Sequence, residues 1–344
     1  MVAVVLLGMV AVGCVAAAHL LAGATWPRRS PAVAIALWQA IGLAWGVATV
    51  GALAGFGVSG LAGQPALGPA GLAATAARAA RLLIGSGQAQ ARRWDALATI
   101  QVLSLLAGVI LLAVLCWILL AAIATVIRAR HRQRTLLGLL AHDDPKVPGA
   151  LVVDYPAAAA YCLPGLRSAI VISAGTLDLL DQAELAAVLA HERAHLRARH
   201  DLVLLPFCAL LRAFRWSALA LAANSQVALL VEMMADDRAR RRLPARELAT
   251  ALMRVGASGG RAPAGALAAG GPTAGATAGG HSGSAPIGAR AAGVPIATID
   301  GQLAARVTRL LRPPPALPVA SVILVGVVAA LLVVAPAAAV LLPL

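Results

Sequence analysis

The stretch Asp181-Gln182-Ala183-Glu184-Leu185-Ala186-Ala187-Val188-Leu189-Ala190-His191-Glu192-Arg193-Ala194-His195-Leu196 decides how this chain is read. Asp181 followed three residues later by Glu184 is a capping box, and Leu185, Leu189 and Leu196 recur at helical spacing. Gln182 to His200 is therefore expected to be an amphipathic helix. Inside it lies His191-Glu192-Arg193-Ala194-His195, an HExxH sequence. Four residues are close to one helical turn, so both imidazoles leave the same face and can grip a single Zn²⁺. Glu192, next to the first histidine, can reach a zinc-bound water and act as general base.

A catalytic zinc site needs a third protein ligand and an open position. The candidate is Glu232, in Val231-Glu232-Met233-Met234-Ala235-Asp236-Asp237, on a second helix expected from about Val227 to Arg242. Asp236 lies one turn further on the same face, placed to accept the outer N–H of a ligating histidine. Carboxylates flanked by apolar residues are costly to bury without such partners.

Around this block the chain is unusually apolar. Of 344 residues 60% are hydrophobic and 12% charged, and the mean hydropathy of +0.86 is too high for an ordinary soluble domain. Four cysteines in such a chain make no disulfide framework. The net charge of +14 would raise nucleic acid as a partner in a soluble protein, but here it is first a question of membrane orientation. Four stretches satisfy the length of a membrane span: Val2 to Thr25, Ala32 to Gly57, Ala96 to Ile127 and Leu317 to Leu342. No basic residue precedes Arg28, so no cleaved signal peptide is expected, and Cys14 reads as part of a spanning helix rather than a lipidation site.

The expected fold class is a membrane protein, mainly α, with about four transmembrane helices and a cytoplasmic α+β, gluzincin-like zinc peptidase domain between spans three and four. Residues 1–127 would hold three spans with an outer loop at 58–95, and residues 128–255 the peptidase domain. Residues 256–297 collapse to Gly, Ala, Pro, Ser and Thr and read as a disordered linker. An amphipathic helix at 298–316 and a fourth span at 317–344 complete the chain. Arg28 and Arg29, with Arg128, Arg130, Arg132 and Arg134, place those span ends in the cytoplasm, although Arg78, Arg81, Arg92 and Arg93 in the outer loop count against this orientation. Within the domain, Ala150 to Tyr155 and Ser168 to Ser173 read as strands of a small sheet or hairpin around the turn Leu163-Pro164-Gly165. The strand before the catalytic helix, Ser168 to Ser173, is the expected edge for binding substrate as an added strand. Leu202 to Ala223 is apolar but interrupted by Arg212 and Arg215, which suits an interfacial or packed helix resting on anionic lipid.

The strings Tyr161-Cys162-Leu163-Pro164-Gly165, Leu189 through Arg197 and Val231 through Asp237, together with three spans, a cytoplasmic domain and a further span, resemble the BlaR/MecR-type membrane metallopeptidases. The resemblance implies that His191, His195 and Glu232 ligate one Zn²⁺, that Glu192 is the catalytic base and that Asp236 supports a ligand. It also implies cleavage of a cytoplasmic transcriptional repressor, so that genes are controlled without direct nucleic-acid contact. Penicillin-sensing members carry a large sensor domain after the last span, and no such domain follows here, so a β-lactam trigger is not expected.

Two rivals remain open. Site-two intramembrane proteases pair HExxH with a distant Asp-Gly, which Asp300-Gly301 supplies, but the arginines around His191 suit hydrocarbon poorly. A non-catalytic signalling scaffold would keep the motif without the metal. The remaining histidines read as structural: His19 packed in the first span, His131 and His142 solvated, His200 a partner of the helix C-terminus, His281 inert in the linker. Tyr155 and Tyr161 read as packing residues, and Cys162 and Cys208 as free thiols.

Overall fold

A computed structural model describes residues 2–59, 92–165, 168–258 and 296–341. The linker with His281 and most of the outer loop, with Arg78 and Arg81, lie outside the described residues. In chain order the elements are α1 (Val2–Gly23), a 3-10 turn (Trp26–Arg28), α2 (Pro31–Ser59), α3 (Arg92–Leu140), β1 (Ala141–Asp143), β2 (Leu151–Val153), β3 (Ala160–Leu163) and β4 (Ala169–Ser173). There follow α4 (Ala174–Leu179), α5 (Gln182–Ala198), α6 (His200–Ala213), α7 (Ala218–Ala239), α8 (Ala245–Ala257), α9 (Ile296–Leu311) and α10 (Val319–Leu341).

The chain divides into two compact units. The first comprises residues 1–23, 36–117 and 319–344 and is built from apolar helices. Glycine brings two of them together: a Cβ on Gly57 would meet Leu105 Cβ at 2.6 Å, and one on Gly108 would meet Ala54 N at 3.2 Å. Small residues at the crossing let backbones approach where lipid supplies no hydrophobic drive, and Ser104 Oγ donates across it to Leu53 O at 2.9 Å. His19 lies on the exposed face of α1 rather than packed within it.

Among the described residues, five helices are long and apolar enough to cross a membrane: Val2–Gly23, Pro31–Ser59, Ala98–Leu140, Ala218–Ala239 and Val319–Val340. Four correspond to the expected spans and the fifth is new. The helix expected from Val227 begins at Ala218, because the Ser217 hydroxyl caps it by accepting from Ala220 N at 3.2 Å. The apolar run Leu202 to Ala223 is thus two helices broken at Phe214–Ser217, not one. The second half of Ala218–Ala239 carries Glu232, Asp236 and Asp237 against the rest of the domain, so we read it as a packed helix.

The second unit, residues 24–35 and 118–318, contains a four-stranded sheet of order β1-β2-β4-β3. β1 and β3 run antiparallel to their neighbours, while β2 and β4 are parallel, with Leu151 opposite Val171 and Val153 opposite Ser173. The two strands expected to form a hairpin are therefore parallel, and the turn around Pro164 joins β3 to β4. β4 is also interior, which corrects its reading as a substrate edge. Ile170, Val171 and Ile172 are all buried, the continuous apolar run of a strand flanked on both sides and covered on both faces. The sheet edge beside the HExxH helix, among the described residues, is β3.

Leu185 and Leu189 of α5 pack on Val152, Ile170 and Ile172 of the sheet, with Leu180 and Ala251 closing the cluster. The other side of α5 meets α7, α8 and α9 through Ala187, Ala239, Leu248 and Leu310. One face of α5 is thereby fixed by the sheet and the other by helices, which aims the HExxH face at α7.

Candidate metal centre

The capping box forms as expected: Glu184 N donates to Asp181 Oδ1 at 2.9 Å and Asp181 N to Glu184 Oε2 at 3.1 Å. The Glu184 carboxylate is buried and reaches Arg254 Nη1 at 2.8 Å. α5 ends at Arg199, which adopts the left-handed conformation at φ 50° and ψ 45° and returns its N–H to His195 O and Leu196 O.

His191 and His195 face α7 with their Nε2 atoms 3.1 Å apart. Glu232 offers Oε2 at 3.4 Å from His191 Nε2 and Oε1 at 3.6 Å from His195 Nε2. All three donors lie within 4.8 Å of one another. Zinc bonds of about 2.0–2.1 Å in a tetrahedron separate neighbouring ligand atoms by about 3.3 Å, so the donor set has the spacing of three corners with the fourth open.

Asp236, almost fully buried, stands with Oδ1 3.0 Å from His191 Nδ1. Burial pushes the His191 imidazole down, but hydrogen bonds with Asp236 and Glu232 outweigh it and raise the group to about 10. Without a metal the ring is thus held as the imidazolium; with a metal on Nε2, Asp236 Oδ1 stands beside Nδ1, where the remaining proton would sit. Burial lowers His195 to about 4, so its ring is neutral at physiological pH, the form a metal ligand requires. Glu192 is raised above the usual carboxylate range by burial, with the Cys162 thiol of β3 as an electrostatic neighbour.

Three contributors to the centre are absent from the sequence reading. The largest is Arg306 on α9. Its Nε and Nη2 donate to the two Asp236 oxygens at 2.9 and 2.8 Å, while Nη1 sits 3.0 Å from Glu232 Oε2. Three residues on, Arg309 forks onto both oxygens of Asp237. The second is His200, expected as a partner of the helix C-terminus but buried, with Nδ1 3.0 Å from His195 Nδ1 and Nε2 3.0 Å from Arg238 Nη1. Burial, with His195 and Arg238 beside it, lowers this imidazole to about 3. The third is Cys162, through its contact with Glu192.

His131 and His142 are exposed and Tyr161 is half-buried on β3. Gly301 lies within α9, and the side chain of Asp300 falls outside those described. Among the described residues the donor set is His191, His195 and Glu232.

A helix-borne HExxH pair joined by a glutamate from a later helix defines a metallopeptidase arrangement of the two-histidine, one-glutamate type. Residues 127–254 match the model of peptidase family M48, whose members are zinc-dependent. The match supports a membrane-type zinc metallopeptidase and covers the segment from the end of the apolar part of α3 through most of α8. No curated protein and no solved structure matches the chain.

Proposed function

We propose that this protein is a membrane-embedded zinc metalloendopeptidase whose peptidase domain faces the cytoplasm and cuts a regulatory protein there. The observation that carries the reading is the convergence of His191, His195 and Glu232 on one point, with Glu192 beside it. His191, His195 and Glu232 would hold the ion. When bound, zinc polarises the scissile carbonyl and makes a water acidic.

The protein's own groups do the rest. A substrate in extended conformation adds to β3, the exposed edge next to α5, and so lies across the HExxH face. Glu192, raised by burial, takes a proton from the attacking water and passes it to the departing amine nitrogen. Asp236 fixes the His191 ring and His200 the His195 ring, so neither ligand swings.

The cytoplasmic orientation rests on Arg28, Arg29 and the run from Arg128 to Arg134. The narrower reading, cleavage of a transcriptional repressor, is supported by the resemblance to BlaR/MecR-type peptidases in motif strings and in the order of spans and domain. Direct DNA binding has no structural element to carry it among the described residues.

The test compares cells making the native chain with cells making Glu192→Gln. Since Glu192 is not a ligand, the variant keeps zinc but loses about 10²–10⁴-fold in turnover. A DNA-binding protein that persists intact only in the variant identifies the substrate. Unimpaired peptide hydrolysis by Glu192→Gln would refute the mechanism.

A further inference from the structure

Four arginines gather on one concave surface apart from the centre. A cavity of about 490 Å³ opens against α9, lined by Thr25, Arg28, Arg29, Thr308, Arg309 and Arg312, with buried Met233 among its walls. Among the described residues no acidic side chain lines it. Arg309 is engaged by Asp237, and its Nε donates to the Arg28 carbonyl at 2.7 Å. Arg28, Arg29 and Arg312 are exposed and their guanidinium groups have no carboxylate or carbonyl partner among the described residues. Three uncompensated charges therefore converge with two hydroxyls on one concave surface, the donor set that phosphate oxygens accept.

The position in the chain says which phosphate. Thr25, Arg28 and Arg29 occupy the short connection between α1, which ends at Gly23, and α2, which begins at Pro31. Arg312 and Pro314 occupy the connection between α9 and α10, which begins at Val319. Each connection runs within a few residues into helices long and apolar enough to span, so these arginines stand at headgroup depth. Trp26 on the same turn is the residue type favoured at that level.

We propose that this cavity is a binding site for the phosphate headgroup of an anionic membrane phospholipid, and that its occupancy steadies α9. The link to the centre is covalent and short. Met233 follows Glu232 directly, and Arg309 and Arg312 lie one and two turns beyond Arg306, which holds Glu232 and Asp236. A headgroup bridging Arg28, Arg29 and Arg312 ties the α1–α2 connection to α9 and keeps Arg306 in register.

The test uses the full chain in nanodiscs of phosphatidylcholine alone or with one-fifth phosphatidylglycerol. Retained lipid is counted by native mass spectrometry, and hydrogen exchange is followed over residues 301–311. Neither readout depends on turnover, so loss of the peptidase reading would leave the result interpretable. Native protein is expected to retain phosphatidylglycerol and to show slower exchange in α9 when that lipid is present. Arg28→Gln/Arg29→Gln/Arg312→Gln should weaken retention roughly a hundredfold, at about fivefold per arginine. Arg132→Gln/Arg241→Gln/Arg242→Gln, which removes the same charge elsewhere on the surface, should retain it. Equal loss in both triple variants would reduce the site to general surface charge and overturn the proposal. Displacement of the lipid by millimolar inorganic phosphate would mark a soluble phosphate site and overturn the membrane source. Lipid retention without slower exchange in α9 would overturn the link to the helix.

Discussion

Helices α5 and α9 both deliver charged side chains to the same centre, but they do so by different physics. In α5 the information is local: the capping box fixes the start, a one-turn spacing aligns His191 with His195, and leucines at helical spacing set which face is buried. In α9 nothing local distinguishes Arg306 from other arginines on an amphipathic helix. Its meaning comes from Asp236, 70 residues away in the chain. Ligands are thus specified by spacing, whereas their charge balance is specified only by tertiary packing.

The comparison is most sharply broken by the ligands themselves. His191→Ala or Glu232→Ala should abolish stoichiometric zinc, measured by metal analysis of the purified chain, while the α9 variant Asp300→Ala should retain it. Full zinc in Glu232→Ala would mean that α7 does not complete the set.

The next largest effect belongs to α9. Arg306→Met takes the two-pronged guanidinium from buried Asp236, and removing one member of a buried ion pair costs about 3–5 kcal/mol. The metal-free protein should lose stability of that order in denaturant titration. Arg306→Lys should recover only part, since an ammonium cannot reproduce the two-pronged contact with Asp236. A neutral outcome for Arg306→Met would make α9 a passive cover.

His200→Phe keeps the volume and removes the partner of His195. Losses of such supporting groups lower metal affinity about 10–100-fold, which competition with a chelator would read directly. The smallest effect is expected at the most legible feature: Asp181→Ala removes the cap of α5 at about 1 kcal/mol and should leave zinc affinity nearly unchanged.

These cases show where sequence reading succeeds and where it stops. The HExxH helix and the Glu232–Asp236 face were readable because helical periodicity reports neighbours within a turn or two. His200 was not, because a helix continued through Arg199 would carry it away from His195. The left-handed turn at Arg199 instead starts a new helix there. The edge expected at β4 is an interior strand, and its unbroken Ile170-Val171-Ile172 run carries the signature of one. Arg306 had one usable signal: three carboxylates in an apolar stretch call for buried cations, and Arg306 and Arg309 are spaced to meet them.

That spacing has a mechanical consequence. α9 holds α7 through two arginine forks, Arg306 on Asp236 and Arg309 on Asp237, whose acceptors are adjacent in sequence. Such an arrangement behaves as an intramolecular chelate. While either fork is closed, the other pair meets at high effective concentration and re-forms faster than the helix can leave. Opening either fork therefore also forfeits the advantage it lends the other, so the two single losses added together should exceed the loss in the double variant. Release of α9 is accordingly a cooperative event with a threshold, rather than a graded loosening of the helix.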